Sequence, residues 1–221
     1  MIAPAFTVVD VPQRSPEWFA ARCGRVTGSV AADVCATLKS GKGEAAGRRN
    51  LRVKLALERI CGRPLESDFQ SAAMLTGIER EPLAIAAYEQ ATGQSVKACG
   101  FLAHETLLIG SSPDGIVGEW DGAIEVKCCQ PPAHLDFLKV TEPPDGYLKQ
   151  CVHLLLLTGL PWVDLVYYSP DFPEPLQLKI MRIRRDAPQL AAYDLALTLF
   201  LSEVEQEAAT IRALADTGVA V

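Results

Sequence analysis

The sequence lacks any apolar run long enough to cross a membrane. A spanning helix needs about 20 consecutive apolar residues, and the most apolar segment, Cys151–Leu157, is far shorter. Residues 1–6 also lack the basic region and the long apolar region of a secretory signal. These absences predict a cytoplasmic protein without membrane association.

The sequence also lacks the cysteine spacings of metal clusters and disulfide frameworks. It has seven cysteines, an odd number, and no two of them form a C-x-x-C pair. A structural zinc site or an iron–sulfur cluster is therefore disfavoured. The count predicts reduced thiols in a reducing compartment.

Positive charge is not in excess. Lys and Arg number 21 against 27 Asp and Glu, for a net charge of −6. This balance counts mildly against a nucleic-acid partner, but binding depends on local patches rather than on the sum. The basic residues that could form such a patch are Lys39, Lys42, Arg48, Arg49 and Arg63.

A phosphate loop for nucleotide hydrolysis is missing as well. Gly41-Lys42-Gly43 is superficially similar to one. The motif requires Ser or Thr after the lysine and a glycine six positions before it, and neither is present. Nucleotide hydrolysis is therefore excluded at this position.

What is present indicates an α/β protein. The 221 residues, 49% of them apolar, can form one sizeable domain over 1–221 with a substantial core. Helical spacings dominate the first 92 residues, and alternating strand patterns follow, interrupted by one strongly apolar helix. This order predicts a central mixed β-sheet flanked by helices. The predicted helices cover 16–22, 27–36, 50–61, 69–92, 131–137, 147–158 and 188–214, and the predicted strands cover 96–103, 107–111, 162–169 and 176–184.

The segment Ser111–Lys127 carries the strongest chemical signal. It reads as a hairpin of two short strands that reverses at Asp121-Gly122. Asp114 begins one strand, and Glu125 and Lys127 lie near the end of the next. Because strand side chains alternate between faces, Glu125 and Lys127 share a face. Two carboxylates and one lysine therefore converge at one edge of the sheet.

This convergence suits metal-assisted cleavage of a phosphodiester. Carboxylate oxygens are the ligands that Mg²⁺ and Mn²⁺ prefer. A bound metal lowers the pKa of its water and neutralises charge that builds on the phosphate. The spacing P-D-(x)10-E-x-K is loose, however, and the alternative is a hairpin with a solvated Glu–Lys face.

Five ordered motifs, of which the third is the hairpin itself, make the pattern specific. They are S-P-E-W-(x)3-R-(x)4-T-G-S from Ser15, G-(x)3-E from Gly77, S-P-D-G with E-V-K-C, Y-L-K-Q from Tyr147, and Y-Y-S-P from Tyr167. Over about 15–170, this series resembles the phage lambda exonuclease and YqaJ-type viral recombinase family of PD-(D/E)xK nucleases. The resemblance implies a restriction-endonuclease-like core.

The resemblance assigns roles around a metal. It implies that Asp114 and Glu125 are metal ligands, with the backbone carbonyl of Val126 as a third. It implies that the helix carboxylate Glu81 reaches the metal or its waters, although Glu79, two residues away, is a rival. Mg²⁺ is the implied ion, with Mn²⁺ as a substitute and two ions in the site.

The same resemblance assigns four more residues. Lys127 would position or activate the attacking water, and Gln150 would orient the site from a crossing helix. Arg22 and Ser29 would hold a terminal 5′-phosphate, with helix-terminal N–H groups adding to the site. The alternatives are ordinary helix polarity for Gln150, a surface salt bridge for Arg22 and a helix cap for Ser29. Trp18 and His153 are predicted to be core residues without a catalytic role.

The resemblance implies a Mg²⁺-dependent exonuclease that digests linear double-stranded DNA from its 5′ ends and leaves 3′ single strands. It implies homologous recombination beside a single-strand annealing protein, and assembly as a closed homotrimer. Two alternatives remain open at this point. One is an endonuclease or junction resolvase on the same scaffold, and the other is a module that binds DNA ends without cleavage.

Overall fold

A computed structural model describes residues 2–38, 43–65 and 72–217. The predicted α/β class with mixed sheets flanked by helices is confirmed. The helices are α1 (Pro16–Arg22), α2 (Ala31–Val34), α3 (Ala46–Cys61), α4 (Ala72–Thr92), α5 (Pro131–Lys139), α6 (Asp145–Thr158), α7 (Glu174–Gln177) and α8 (Ala187–Asp216). The strands are β1 (Phe6–Val9), β2 (Val26–Thr27), β3 (Val96–Lys97), β4 (Phe101–His104), β5 (Ile109–Ser111), β6 (Gly115–Val117), β7 (Gly122–Cys128), β8 (Trp162–Tyr168) and β9 (Leu178–Arg184).

The strands form two mixed sheets. The smaller sheet has the order β1-β4-β5-β2, with β2 parallel to β5 and the other pairs antiparallel. The larger sheet has the order β3-β6-β7-β8-β9, in which only the β7–β8 pair is parallel. Parallel strands need a long crossover, and here α5 and α6 provide it.

Helix α6 lies at the centre of the main core. Its residues Cys151–Leu157 are all buried, so the most apolar segment of the sequence is a core helix. It contacts α2, α8, β5 and β8, and it ends at Gly159, whose φ of 76° suits a left-handed cap. Across the described ranges, no helix has the length and apolar content needed to span a membrane.

The predicted boundaries differ from the structure most clearly at three places. The strand predicted over 96–103 is two strands in different sheets, because Gly100 brings the chain against the end of β1: a Cβ there would lie 2.2 Å from the Val9 carbonyl oxygen. The helix predicted over 27–36 is a 3₁₀ turn, Gly28–Val30, followed by α2. Helix α3 begins at Ala46 rather than at residue 50. The predicted start of α4, residues 69–71, lies outside the described residues.

Candidate active site

The register of the β6–β7 hairpin brings the first two predicted residues together. Gly115 pairs with Ile124, so Asp114, one residue earlier, lies opposite Glu125. The Val126 backbone N–H donates to Oδ2 of Asp114 at 2.6 Å. Ile124 and Val126 point into a cluster with α4 on the opposite face of β7. The apolar residues of the strand thereby fix where its polar residues project.

Glu125, Lys127 and Gln150 form a closed hydrogen-bond network. The Lys127 ammonium donates to Oε1 of Glu125 at 2.6 Å and to Oε1 of Gln150 at 3.2 Å. The Gln150 amide donates to the same Glu125 oxygen at 2.6 Å. The ammonium also lies 4.9 Å from the centre of the Tyr147 ring. Gln150 and Tyr147 both come from α6, so this helix positions Glu125 and Lys127 from above the strand.

Charge repulsion is built into the site. Burial, followed by the neighbouring carboxylates of Glu125 and Glu81, raises the pKa of Asp114 well above its ordinary value. Burial also raises the pKa of Glu81, an effect that Arg14 opposes and Glu125 adds to. Burial alone would lower the pKa of Lys127, but the attraction and hydrogen bond of Glu125 outweigh it and raise that pKa. The site therefore holds a firmly protonated lysine among carboxylates that disfavour one another.

Glu81 shares a cleft with Asp114. The cleft has a volume of about 700 Å³ and is lined by both carboxylates, by residues 10–14 of the N-terminal arm and by β3 and its surroundings. Glu79, the rival helix glutamate, is exposed. In the described part of the chain, no three His, Cys, Asp or Glu side chains are grouped closely enough to form a metal cage.

The Arg22 guanidinium stacks on the Trp18 ring at 4.0 Å from its centre. Arg22 Nη2 donates to the Thr27 hydroxyl at 3.4 Å, and that hydroxyl lies 3.3 Å from the Ser29 hydroxyl. Arg22 and Ser29 are thus brought together through Thr27. The Trp18 indole N–H donates to the Ser112 hydroxyl at 2.9 Å, two residues before Asp114. The prediction that Trp18 is a core residue is wrong, because its ring is partly exposed, supports Arg22 and is hydrogen-bonded to the loop that precedes Asp114.

The turn that carries Ser29 is held from two sides. Gly28 packs against Gln150 and Ser111, which fixes the turn next to the Glu125–Lys127–Gln150 network. On the other side, the buried carboxylate of Glu58 accepts from the Gly24 N–H at 2.8 Å. Arg59 donates to the Gly24 carbonyl at 2.9 Å. Helix α3 therefore supports the segment between Arg22 and Ser29.

The other residues named from the sequence lie elsewhere. His153 is a buried core residue, with Nδ1 2.8 Å from the Tyr193 hydroxyl and Nε2 3.0 Å from the Gly110 carbonyl, as predicted. Arg48 is paired with Glu44 and Glu203 between α3 and α8, so it is not free to form a basic patch. Arg49 and Arg63 are exposed, and Lys39 and Lys42 lie outside the described residues.

Several contacts had no readable signal in the sequence. Tyr147 under Lys127, the Trp18–Ser112 bond and the place of Arg14 in the cleft all join residues far apart in the chain. Only the Y-L-K-Q motif, which begins with Tyr147 and ends with Gln150, contained a usable hint. Two residues three apart on a helix share a face, so Tyr147 could have been assigned to the site beside Gln150.

Comparison with known proteins identifies the family of this chain. A model of the YqaJ-like viral recombinase domain matches residues 17–161. The crystal structure of an alkaline exonuclease, LHK-Exo from Laribacter hongkongensis, is 36% identical and superposes with a TM-score of 0.81 over 92% of this chain and 99% of that one. The same protein in complex with dAMP gives 0.82 with the same identity and coverage.

A phage-related exonuclease from Haemophilus somnus 129PT shares the fold alone, with a TM-score of 0.62 and 14% identity over 86% of this chain and 95% of that one. No curated protein sequence matched significantly. The domain match covers well over half of the chain and includes every residue of the network around Glu125. This chain belongs to the YqaJ-like viral recombinase family.

Proposed function

We propose that this protein is a Mg²⁺-dependent exonuclease that digests linear double-stranded DNA from its 5′ ends and leaves 3′ single strands. The observation that carries the proposal is the network in which Lys127 and Gln150 both bind Oε1 of Glu125, with Asp114 held beside it by the Val126 N–H. A solvated Glu–Lys hairpin face would not bury Glu125 to 5% exposure. Buried charged networks of this kind are concentrated at functional sites.

The residues present fit a divalent cation. The hydrogen bonds described above use one oxygen of each carboxylate, Oδ2 of Asp114 and Oε1 of Glu125, and leave the second oxygen of each unused by them. Burial, followed by repulsion from Glu125 and Glu81, raises the pKa of Asp114, and a cation would relieve that repulsion. Mg²⁺ commonly uses only one or two carboxylates together with waters and substrate phosphates, so the lack of a three-residue cage among the described side chains is compatible with it.

Asp114, Glu125 and the Val126 carbonyl would hold the ion, and Glu81 would reach it or its waters across the cleft. Mn²⁺ would substitute, and the site would take two ions. When bound, the metal would lower the pKa of a water and neutralise charge on the scissile phosphate.

Lys127 and Gln150 would orient the attacking water. In the metal-free site the attraction and hydrogen bond of Glu125 outweigh burial and raise the pKa of Lys127, which favours the charged ammonium there. It can donate to the water and stabilise the negative charge that develops on the phosphate. Gln150 holds the Glu125 and Lys127 side chains in fixed relative positions, because it donates to one and accepts from the other.

The proposed polarity rests on Arg22 and its surroundings. A terminal 5′-phosphate carries more charge than an internal diester, and a guanidinium with several donors can distinguish them. Arg22, Thr27 and Ser29 form such a polar patch, and Gly28 places it against Gln150. The relative that is 36% identical has been crystallised with dAMP, a deoxynucleoside monophosphate of the kind released when single nucleotides are cut from an end.

The proposal extends to assembly and partners. We propose a closed homotrimer that acts beside a single-strand annealing protein, as the family resemblance implies. Large exposed apolar side chains on α4 and α8 are compatible with subunit contacts; they are Met74, Leu75, Leu83, Leu195 and Leu199. Sedimentation at micromolar concentration tests the assembly, and a stable monomer with full processive activity would contradict it.

The decisive experiment uses one linear duplex labelled at either the 5′ or the 3′ end, and the same DNA as a closed circle. With Mg²⁺, we expect early release of the 5′ label as mononucleotide, a retained 3′ label and no cut in the circle. EDTA should stop digestion. The variants Asp114→Asn and Glu125→Gln should lower the rate by several orders of magnitude while the protein stays folded.

Other outcomes would select an alternative. Cutting of the closed circle would favour an endonuclease or junction resolvase. Metal-independent binding to DNA ends without product would favour a non-catalytic module. Early release of the 3′ label would refute the proposed 5′-to-3′ polarity, but it would still support exonuclease activity.

A further inference from the structure

The N-terminal arm places a second cationic side chain, besides Lys127, in the cleft beside the carboxylates. Arg14 lines the cleft of about 700 Å³ that also contains Asp114 and Glu81. Its guanidinium nitrogen Nη2 lies 4.0 Å from Oε2 of Glu81. None of the roles considered so far uses this residue.

The backbone at Arg14 has an unusual conformation. Its φ is 69°, one of two positive values among the described non-glycine residues. The Ser15 N–H donates to the Pro12 carbonyl at 3.1 Å, so Arg14 occupies the third position of a four-residue turn, where a positive φ favours glycine. An arginine held in this conformation suggests that its side chain, rather than its backbone, is needed there.

The turn is fixed at both ends above the site. The Ser15 side chain caps α1 by accepting from the Trp18 N–H. The Gln13 amide donates to the carbonyl of Pro113, the residue before Asp114, at 3.5 Å. The arm is therefore tied to the chain beside the catalytic aspartate, and Arg14 projects into the cleft from a defined position.

The contact with Glu81 does not by itself explain why an arginine occupies position 14. The side chains are 40% and 27% exposed, and an exposed ion pair at this separation contributes little to stability. The lining of the cleft combines this accessible guanidinium with the two carboxylates that are proposed to surround the metal. A phosphate bound through that metal would lie within reach of the guanidinium.

We propose that Arg14 binds a phosphate group on the cleft side of the catalytic carboxylates, distinct from the 5′-phosphate assigned to Arg22. This inference rests on the proposed nuclease function. Helix α1 separates the two arginines and is roughly 10 Å long, several times the ~3.4 Å axial rise per phosphate of one strand. They can therefore reach different phosphates. The phosphate at Arg14 belongs either to the DNA strand or to the released nucleotide.

The test compares Arg14→Gly, Arg14→Lys and the matched control Arg212→Ala. Glycine suits the turn, so Arg14→Gly should unfold at the same temperature as wild type or higher. Lysine keeps the charge. Arg212 is exposed on α8, so its variant loses the same charge away from the cleft.

Two measurements distinguish the source of the phosphate. The first is the salt dependence of binding to a 5′-phosphorylated duplex, with Ca²⁺ in place of Mg²⁺ to prevent digestion. The second is inhibition of Mg²⁺-dependent digestion by dAMP. If Arg14 contacts the strand, Arg14→Gly should bind about tenfold more weakly, and the slope of log K against log salt should become shallower by about 0.7 to 0.9.

If Arg14 contacts the released nucleotide, the slope should stay the same and the inhibition constant of dAMP should rise severalfold. Arg14→Lys should recover part of either effect, and Arg212→Ala should behave as wild type. A folded Arg14→Gly protein with unchanged salt slope and unchanged dAMP inhibition would overturn the proposal. Failure of wild type to digest DNA would instead refute the proposed function, and the binding slopes would still test Arg14.

Discussion

Gly28 lies directly against Gln150: a Cβ atom on Gly28 would be 3.3 Å from Cγ of Gln150. Such a contact is tighter than ordinary van der Waals packing, so one of the two residues would have to move by a few tenths of an ångström. Gln150 holds Glu125 and Lys127, and Gly28 lies between the residues of the proposed 5′-phosphate patch. The proposed 5′-phosphate patch and the hydrogen-bond network around Glu125 are thus in physical contact.

We expect Gly28→Ala to lower the digestion rate by about tenfold or more, since displacements of an ångström or less at a reacting centre have effects of this size. The midpoint of thermal unfolding should change by only a few degrees. Gly146→Ala is the matched control, because it lies in the same helix as Gln150 and a Cβ there would meet nothing within 4 Å. Equal digestion rates for Gly28→Ala and Gly146→Ala would show that close packing of Gly28 on Gln150 does not affect the digestion rate.

Lys127→Met should abolish most digestion and leave DNA binding within a few fold of wild type. The methionine retains the apolar stem but removes the ammonium that binds Glu125 and Gln150, and loss of such a positioned group typically costs about 10²- to 10⁴-fold in rate. Single-turnover digestion and filter binding measure the two quantities. Lys97→Met is the control, since Lys97 pairs with Glu119 on the exposed surface and that pair should contribute little.

Lys127→Met should also destabilise the metal-free protein. Removal of one partner from a buried ion pair leaves the other uncompensated, at a cost of about 3 to 5 kcal/mol in fully buried cases. Lys127 is partly exposed and Gln150 still donates to Glu125, so we expect a smaller loss. Mg²⁺ should restore part of the stability. A variant with normal digestion would remove Lys127 from the active site.

Arg22→Ala should erase the preference for a phosphorylated end. Wild type should digest 5′-phosphorylated duplex faster than 5′-hydroxyl duplex, because the Arg22 guanidinium, which stacks on Trp18, is proposed to bind the additional charge. The variant should be slow on both substrates, with a rate ratio near one. Initial rates on the two ends give the ratio for each protein. A lower stability with an unchanged ratio would identify Arg22 as a structural salt-bridge residue.

Acid should destabilise the protein through His153. Burial lowers the pKa of His153 to about 4, whereas in the unfolded chain the pKa is about 6.5. The unfolded state therefore binds a proton first, and the stability that His153 contributes above pH 6.5 is lost as the pH falls towards 4. The full effect is about 3 kcal/mol.

Urea unfolding between pH 4 and 8 measures this effect. His153→Gln should be less stable at neutral pH, because glutamine reproduces the bonds to Gly110 and Tyr193 poorly, but its stability should fall less steeply below pH 6.5. Parallel curves for the two proteins would assign the acid sensitivity to other groups.

The sequence predicted the parts of the site that depend on local periodicity. Alternation along β7 placed Glu125 and Lys127 on one face, and the hairpin pairing placed Asp114 opposite them. The Ser15 cap and Pro16 defined the start of α1, as the structure shows. These features follow from the local backbone geometry of strands and helix ends, and that geometry can be inferred from the order of residues in the sequence.

Other parts depend on contacts between distant segments and have no linear signature. Gln13 reaches Pro113 across 100 positions, and that contact ties the turn that carries Arg14 to the chain beside Asp114. The predicted core role of Trp18 failed for the same reason, since its partner Ser112 is 94 positions away. The strand over 96–103 divides in two because Gly100 meets β1, which periodicity within the strand cannot reveal.

The parallel pairing of β7 with β8 determines when activity can arise during synthesis. Asp114, Glu125 and Lys127 leave the ribosome early, but Gln150 and Tyr147 follow on α6, and β8, the parallel neighbour of β7, ends only at Tyr168. A nascent or prematurely terminated chain that stops before this strand contains Asp114, Glu125 and Lys127 without all the elements that hold them. We expect such a fragment to be unable to cut DNA, so that activity arises only once the chain beyond Tyr168 has been made.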